Sequence, residues 1–192
     1  VDGAIQEAQF PDSMESAARA FLDALNEAAR REAALLGHAA TPVPPSLLSP
    51  DASALAREGA LLHVGAGDDE LVTLATPTLM AAARTHIETE EALRTWMERW
   101  GQCGQGEAAE AETHWYGLAL GTSEAREDAR RAVATLEPES SARWIDQVVD
   151  DQWPVTAEDC LASGLAARCA GKMGVAETLF RRGAEAEGGP TN

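Results

Sequence analysis

The sequence predicts an all-α protein of antiparallel helical hairpins or an irregular helical bundle, with room for one small β-hairpin near residues 60–76. Apolar residues recur at steps of three and four over most of the 192 residues, as they do on one face of an α-helix. Alanine, a strong helix former, makes up about one residue in five. The apolar fraction of 45% and the charged fraction of 24% fit a globular chain with a sizeable core.

The first long helix is predicted after a short lead. Asp12 followed by Glu15 resembles a capping box, in which two side chains satisfy the first amides of a helix. Apolar positions then continue at helical spacing to about Leu36, and Gly37 is a natural end. We therefore expect residues 1–37 to form an N-terminal helix or arm.

A proline-rich segment follows and is the best candidate for a domain boundary. Residues 38–50 are predicted to be a linker or a surface loop, because proline disfavours regular structure. Residues 51–192 would then form a helical-hairpin domain, or a single domain together with residues 1–37. The prolines are Pro42, Pro44, Pro45 and Pro50.

The next region is ambiguous. Asp51 is a candidate cap for a short helix over 52–59. Two apolar runs in 60–76 flank a Gly- and Asp-rich stretch at 65–69, which suits either a β-hairpin or two short helices about a glycine turn. Pro77 ends this region in either case.

From Thr78 the pattern is helical to the end of the chain. The strongest apolar stripe contains Leu93, Trp96, Met97 and Trp100. Candidate N-terminal caps are Ser123 and Thr156. Later helices are separated by glycines and prolines: Gly101, Gly104, Gly121, Pro138, Pro154, Gly171 and Gly174.

Two later helix pairs share one spacing of small residues. Each has a glycine, an alanine twelve positions later and an apolar residue four positions beyond that: Gly117, Ala129 and Val133 in the first pair, and Gly164, Ala176 and Phe180 in the second. Small residues let two antiparallel helices cross closely, and the later apolar residue fills the groove between them.

This spacing resembles the tetratricopeptide repeat, which has Leu-Gly-x-x-Tyr on its first helix and Ala-x-x-x-Phe on its second. The resemblance covers about 60 of the 192 residues. Thr113 and Cys160 stand where the repeat has its early tryptophan, and the two copies lie 47 positions apart instead of 34. The resemblance implies an interaction scaffold without catalysis.

The charge of the chain restricts its partners. It has 15 Lys and Arg against 32 Asp and Glu, a formal net charge of −17. Binding to nucleic acid needs clustered basic residues, and so does binding to an anionic membrane surface. Neither is expected here, and a basic protein partner is favoured.

No motif indicates an enzyme or a cofactor. The chain has no HExxH, phosphate-binding loop, GxGxxG, GxSxG or CxxC pattern. No apolar stretch is long enough for a transmembrane helix, and no secretory leader is visible. Three cysteines, Cys103, Cys160 and Cys169, fit no disulfide framework, and we expect a reducing cytoplasm.

One arrangement of residues could hold a metal if two helices were antiparallel. His86 and Glu90 share a helical face at i, i+4, and so do Glu110 and His114. Carboxylate-bridged metal bundles instead carry Glu-x-x-His at i, i+3, which is absent. A metal site is therefore the less favoured interpretation.

Two groups of residues are candidates for contacting a partner. The aromatic group is either a core anchor or a binding hot spot, because Trp and Tyr are enriched at both. The acidic groups are either solvated faces or contacts for a basic partner. The aromatic residues are Trp96, Trp100, Trp115 and Tyr116, and the acidic residues are Glu88, Glu90 and Glu91 in one run and Asp146, Asp150 and Asp151 in another.

We therefore expect a non-enzymatic acidic helical domain that docks a basic protein partner, in the manner of an immunity protein, an antitoxin or an adaptor. The first alternative is a structural subunit of a larger assembly, in which the N-terminal helix reaches a neighbour. The second is a metal-binding helical bundle.

Overall fold

The computed structural model of the chain describes residues 13–67, 70–103 and 106–187. The structure is 68% helical, with eleven helices and one two-stranded antiparallel sheet in the described ranges. The predicted all-α class with a small β-hairpin is therefore confirmed. The chain divides into two compact units, unit 1 (Val1–Ala92) and unit 2 (Leu93–Asn192). The division between the units thus falls after Ala92, whereas the sequence predicts a domain boundary at residues 38–50.

Unit 1 contains four complete helices, the sheet and the beginning of a fifth helix. Its elements are α1 (Met14–Ala24), α2 (Glu27–His38), a 3-10 turn (Pro45–Leu47), α3 (Ala52–Arg57), β1 (Leu61–Val64), β2 (Leu71–Leu74), α4 (Pro77–Arg84) and the first residues of α5 (Thr89–Cys103).

The single N-terminal helix predicted from the sequence is in fact two helices. Leu25 leaves helical geometry with a ψ of 150°, and the Asn26 side chain caps α2 by accepting a hydrogen bond of 2.8 Å from an amide of its first turn. The Arg30 guanidinium of α2 donates hydrogen bonds to carbonyls at the end of α1, and so joins the two helices across the break. Ser13 caps α1, and the predicted cap, Asp12, lies outside the described residues.

The proline-rich segment packs onto unit 1. Val43 is 0% exposed and exchanges two backbone hydrogen bonds with Val72 of β2, at 2.9 and 2.7 Å. The buried carboxylate of Glu32 on α2 accepts a hydrogen bond of 3.1 Å from the amide of Ser49. Residues 38–50 are thus held by main-chain pairing and burial, which composition alone does not reveal.

The core of unit 1 lies between α2, α4 and the sheet. A side chain at Gly37 would bring its Cβ within 2.9 Å of the Met80 carbonyl oxygen, so α2 and α4 cross closely because this position is glycine. The buried residues include Leu22, Leu35, Leu36, Val43, Leu55, Val72 and Leu74.

Unit 2 consists of two helical hairpins with two short helices between them in the chain. Its elements after α5 are α6 (Glu107–Ala119), α7 (Ser123–Val133), α8 (Pro138–Ala142), α9 (Ile145–Val148), α10 (Ala157–Cys169) and α11 (Met173–Glu187). Trp144, Ile145 and Val148 come from the short connecting segment and are each 1% exposed. They form the centre of an apolar core with small and apolar residues of α6, α7, α10 and α11.

The shared spacing gives different contacts in the two hairpins. A methyl group at Gly164 would overlap the ring of Phe180, as the spacing predicts. A Cβ at Gly117 would instead lie 3.3 Å from that of Ala125. Gly117 is four positions before its turn glycine, Gly121, whereas Gly164 is seven before Gly171. The two glycines therefore lie at different heights on their hairpins.

Candidate interaction site

The predicted aromatic group forms a largely buried cluster in unit 2. Trp96 and Tyr116 are 0% exposed, and their rings stack with centroids 6.5 Å apart. Trp115 meets Tyr116 edge to face at 4.8 Å, and Trp100 is 7% exposed. Three of the four rings therefore offer a partner almost no surface, because the protein itself encloses them. The core-anchor interpretation describes them better than the hot-spot interpretation.

Trp115, the partly exposed member of this group, is covered by a cation. The Arg143 guanidinium lies 4.4 Å from the Trp115 ring centroid and forms an ion pair with Glu112. Burial raises the pKa of the Glu112 carboxyl, and the charge and hydrogen bond of Arg143 oppose that effect. The second Glu112 carboxylate oxygen is buried with no hydrogen-bond partner in the described ranges. Trp115 thus packs against the Arg143–Glu112 ion pair of the protein itself.

The first acidic run lies in unit 1 at the beginning of α5. Glu88, Glu90 and Glu91 are all exposed. Negative charge near a helix N-terminus is favourable because the helix dipole is positive there. Glu91 also pairs with Arg31 at 2.7 Å. This run is available to solvent and also has local roles in the fold.

The second acidic run is mostly neutralised within unit 2. Asp146 forms an ion pair with Lys172, the one lysine of the chain. Asp150 pairs with Arg130 at 2.6 Å, while Asp151 is exposed. The helix ends at Val148, so Asp146 and Asp150 do not share a helical face as the sequence suggested. Asp150 is therefore a structural residue instead of a free contact for a partner.

The residues considered for a metal site do not form one in the described part of the chain. His114 Nε2 and Glu110 Oε1 lie 3.8 Å apart as an i, i+4 pair on α6. No group of three or more His, Cys, Asp or Glu side chains with suitable geometry occurs among the described residues.

The same pair borders a more promising feature, an acidic cleft of 630 Å³ in unit 2. Glu107 and Glu110 provide its carboxylates, and no Lys or Arg is among the lining residues. Glu107 accepts a hydrogen bond from the amide of Glu137, while the Glu110 side chain is 54% exposed. The lining consists of Trp100, Gly101, Gly106, Glu107, Ala109, Glu110, Thr113, His114, Thr135 and Leu136.

The cleft combines negative charge with an apolar wall. Trp100 and Leu136 contribute apolar surface, and both are more than nine-tenths buried. The indole Nε1 of Trp100 is buried with no hydrogen-bond partner among the described residues. A buried N–H without a partner costs free energy. The Trp100 side chain that carries this unpaired N–H lines the cleft.

Some residues of this cleft can be identified from the sequence alone. The sequence pairs Glu110 with His114, although for a metal, and predicts Trp100 as either a core anchor or a binding hot spot. Glu107 was missed, although positions 107, 110 and 114 share a helical face at i, i+3 and i+7. Thr135 and Leu136 carry no such signal, since only the folded hairpin brings the end of α7 beside α6.

The comparisons with known proteins assign no family. The chain matches no protein-family model, no curated protein and no solved structure. Among the described residues, none of the helices has both the length and the apolar character required to cross a bilayer.

Proposed function

We propose that this chain is a non-enzymatic acidic interaction domain that docks a basic protein partner, in the manner of an immunity protein, an antitoxin or an adaptor. The observation that carries the proposal is the acidic cleft of unit 2. Two carboxylates line it, no Lys or Arg is among the described residues that line it, and the chain as a whole has a net charge of −17. Such a surface attracts basic partners over distance and raises the rate of encounter.

The cleft suits the side chain of an arginine or a lysine from the partner. These side chains have an apolar stem and a charged head. The stem would lie against the small parts of Trp100 and Leu136 that line the cleft, and the head would pair with Glu110 and Glu107. An arginine could also use both carboxylates at once, because its guanidinium donates several hydrogen bonds in one plane.

The proposal can be tested with a fluorescent hexa-arginine peptide as the probe. Any chain this acidic will attract a polycation, so the test depends on location. We expect the double variant Glu107→Gln/Glu110→Gln to bind the peptide less tightly than Glu185→Gln/Glu187→Gln. The control pair is exposed on α11 and removes the same number of charges.

Two further measurements decide the result. The Trp100 indole N–H resonance should shift on binding, because that residue lines the cleft. Affinity capture from the source organism should recover a basic protein that dissociates as salt rises, and the cleft variant should recover less of it. Equal binding by both double variants, with no shift at Trp100, would place any docking surface elsewhere.

A further inference from the structure

The β-hairpin of unit 1 has one covered edge and one open edge. Strands β1 and β2 pair in antiparallel register, with Leu62 opposite Thr73 and His63 opposite Val72. On its other edge β2 is occupied, because the Val72 N–H and C=O both bond to Val43. Among the described residues no strand pairs with the outer edge of β1, so the sheet ends there.

The register fixes which main-chain groups point outward from β1. Opposite residues in an antiparallel pair alternate between hydrogen-bonded and non-hydrogen-bonded pairs. Since Val72 directs its N–H and C=O toward Val43, the His63–Val72 pair is non-hydrogen-bonded. The N–H and C=O groups of His63 and Leu61 therefore face away from β2, and no partner for them occurs among the described residues.

Two side chains of this edge are also exposed and apolar. Leu62 is 49% exposed and Val64 is 43% exposed. They lie on the sheet face opposite to the one that buries Val72 and Leu74. Natural edge strands are commonly protected by lysine, proline, a bulge or an inward charge. Residues 61–64, Leu-Leu-His-Val, contain no lysine, proline or acidic residue.

The charge of the chain indicates which partner fits this edge. Two copies, each with a net charge of −17, repel one another over most of their surface. Residues 60–67 contain no Asp, Glu, Lys or Arg. The Glu70 carboxylate lies 2.7 Å from His63 Nδ1, on the sheet face opposite to Leu62, so two copies can meet at Leu62 without placing carboxylates opposite each other on that face. A basic partner, in contrast, gains nothing from a neutral apolar strand.

We propose that two copies of this chain pair antiparallel through β1, about a two-fold axis at Leu62. In that register, Leu61 of each copy exchanges two main-chain hydrogen bonds with His63 of the other copy. All four outward-facing pairs of N–H and C=O groups are then satisfied. The two Leu62 side chains meet as the central non-hydrogen-bonded pair, where cross-strand side chains are closest. The product is a continuous sheet in the order β2–β1–β1–β2.

The test uses the full chain and its mass in solution. We expect a dimer that dissociates on dilution and becomes tighter as salt screens the repulsion between the copies. This salt dependence is opposite to that expected for a basic partner at the acidic cleft, so the two proposals can fail separately. The amides of Leu61 and His63 should become protected from hydrogen exchange as protein concentration rises.

Leu62→Lys places two like charges opposite each other at the axis and should weaken dimerisation roughly tenfold or more. The control is Val155→Lys, which changes a residue 68% exposed in unit 2 and should leave the dimer intact. A monomer at all concentrations would overturn the proposal. So would a dimer that Leu62→Lys does not weaken, or an edge that binds only the strand of another protein.

Discussion

Arg130 and Asp150 are joined by a charge-assisted hydrogen bond in which Arg130 Nη2 lies 2.6 Å from Asp150 Oδ2. The other carboxylate oxygen accepts bonds of 2.9 Å from the amides of Gln152 and Trp153. Arg130 Nε also donates to the Val148 carbonyl at 3.1 Å. One carboxylate thereby holds the loop after α9 against α7.

These contacts predict how unit 2 responds to pH. The backbone hydrogen bond from Gln152, that from Trp153 and the charge of Arg130 lower the pKa of Asp150 below its ordinary value of 3.8. A lowered pKa in the folded state stabilises the protein above the ordinary value, and that stabilisation is lost as pH falls through the lowered pKa. Asp150→Asn should therefore reduce the melting temperature at neutral pH, and the difference from wild type should disappear in acid.

Asp150→Ala should reduce the melting temperature further than Asp150→Asn, because it also removes the acceptor for two amides. The control is Asp151→Asn, which changes an exposed neighbour and should have little effect. If the two Asp150 variants melt together with the control, the carboxylate does not hold this loop.

Close packing of α10 on α11 depends on Gly164. A methyl group there would overlap the Phe180 ring, so Gly164→Ala should destabilise unit 2 by about 1–3 kcal/mol. Gly174→Ala in α11 has open space around its Cβ and should cause no loss, with a gain of up to about 1 kcal/mol. Denaturant titration of both variants measures the difference.

A double-mutant cycle assigns the cost to this contact. Phe180→Leu gives the new methyl group more room, so the variant carrying both changes should lose less stability than the sum of the single losses. Additive losses would mean that Gly164→Ala acts through some other neighbour.

Glu112 gives the opposite pH dependence to Asp150. Burial raises its pKa above the ordinary value of 4.5, against the opposing charge of Arg143. The folded state therefore binds this proton more tightly than the unfolded state, and its contribution to stability falls as pH rises from 4.5 through the raised pKa. Glu112→Gln should remove that decline from the pH profile of the free energy of unfolding.

The control for Glu112→Gln is Glu185→Gln, which changes an exposed carboxylate on α11. Since the chain has 32 acidic residues, only the difference between variant and wild type is informative. A difference that does not change between acid and neutral pH would show that the Glu112 carboxyl titrates as an ordinary one.

The fold class could be predicted because the signals for helices and hairpins come from residues that are close together in the chain. The helical spacing, the β-hairpin and the contact between Gly164 and Phe180 all follow from residues close in sequence. Asn26 carries a strong cap signal too, but the continuous apolar spacing across it masked the break between α1 and α2. Sequence alone cannot show that Val43 pairs with Val72, or that Thr135 borders the cleft. Those contacts depend on tertiary packing.

The sequence is equally limited in what it reveals about the charged residues of the candidate site. Asp146, Asp150 and Glu91 were predicted as contacts for a partner, yet each has a basic residue beside it in the structure. A run of acidic letters does not reveal which carboxylates are already paired. Trp96 was equally ambiguous, since an anchor of the core and a hot spot have the same composition until burial is known.

Trp144 is one of the largest fully buried side chains of unit 2 and belongs to its apolar core. It is 1% exposed and lies in the short segment between the two hairpins, so removing its ring would leave a cavity next to several helices at once. Trp144→Ala should cost about 3–5 kcal/mol, a large share of the stability of a typical domain.

The indole Nε1 of Trp144 has no hydrogen-bond partner in the described ranges. Trp144→Phe keeps an aromatic ring and removes that buried donor, so it should cost much less than Trp144→Ala. Denaturant unfolding followed by circular dichroism measures both losses, and equal losses would contradict a central packing role for the ring.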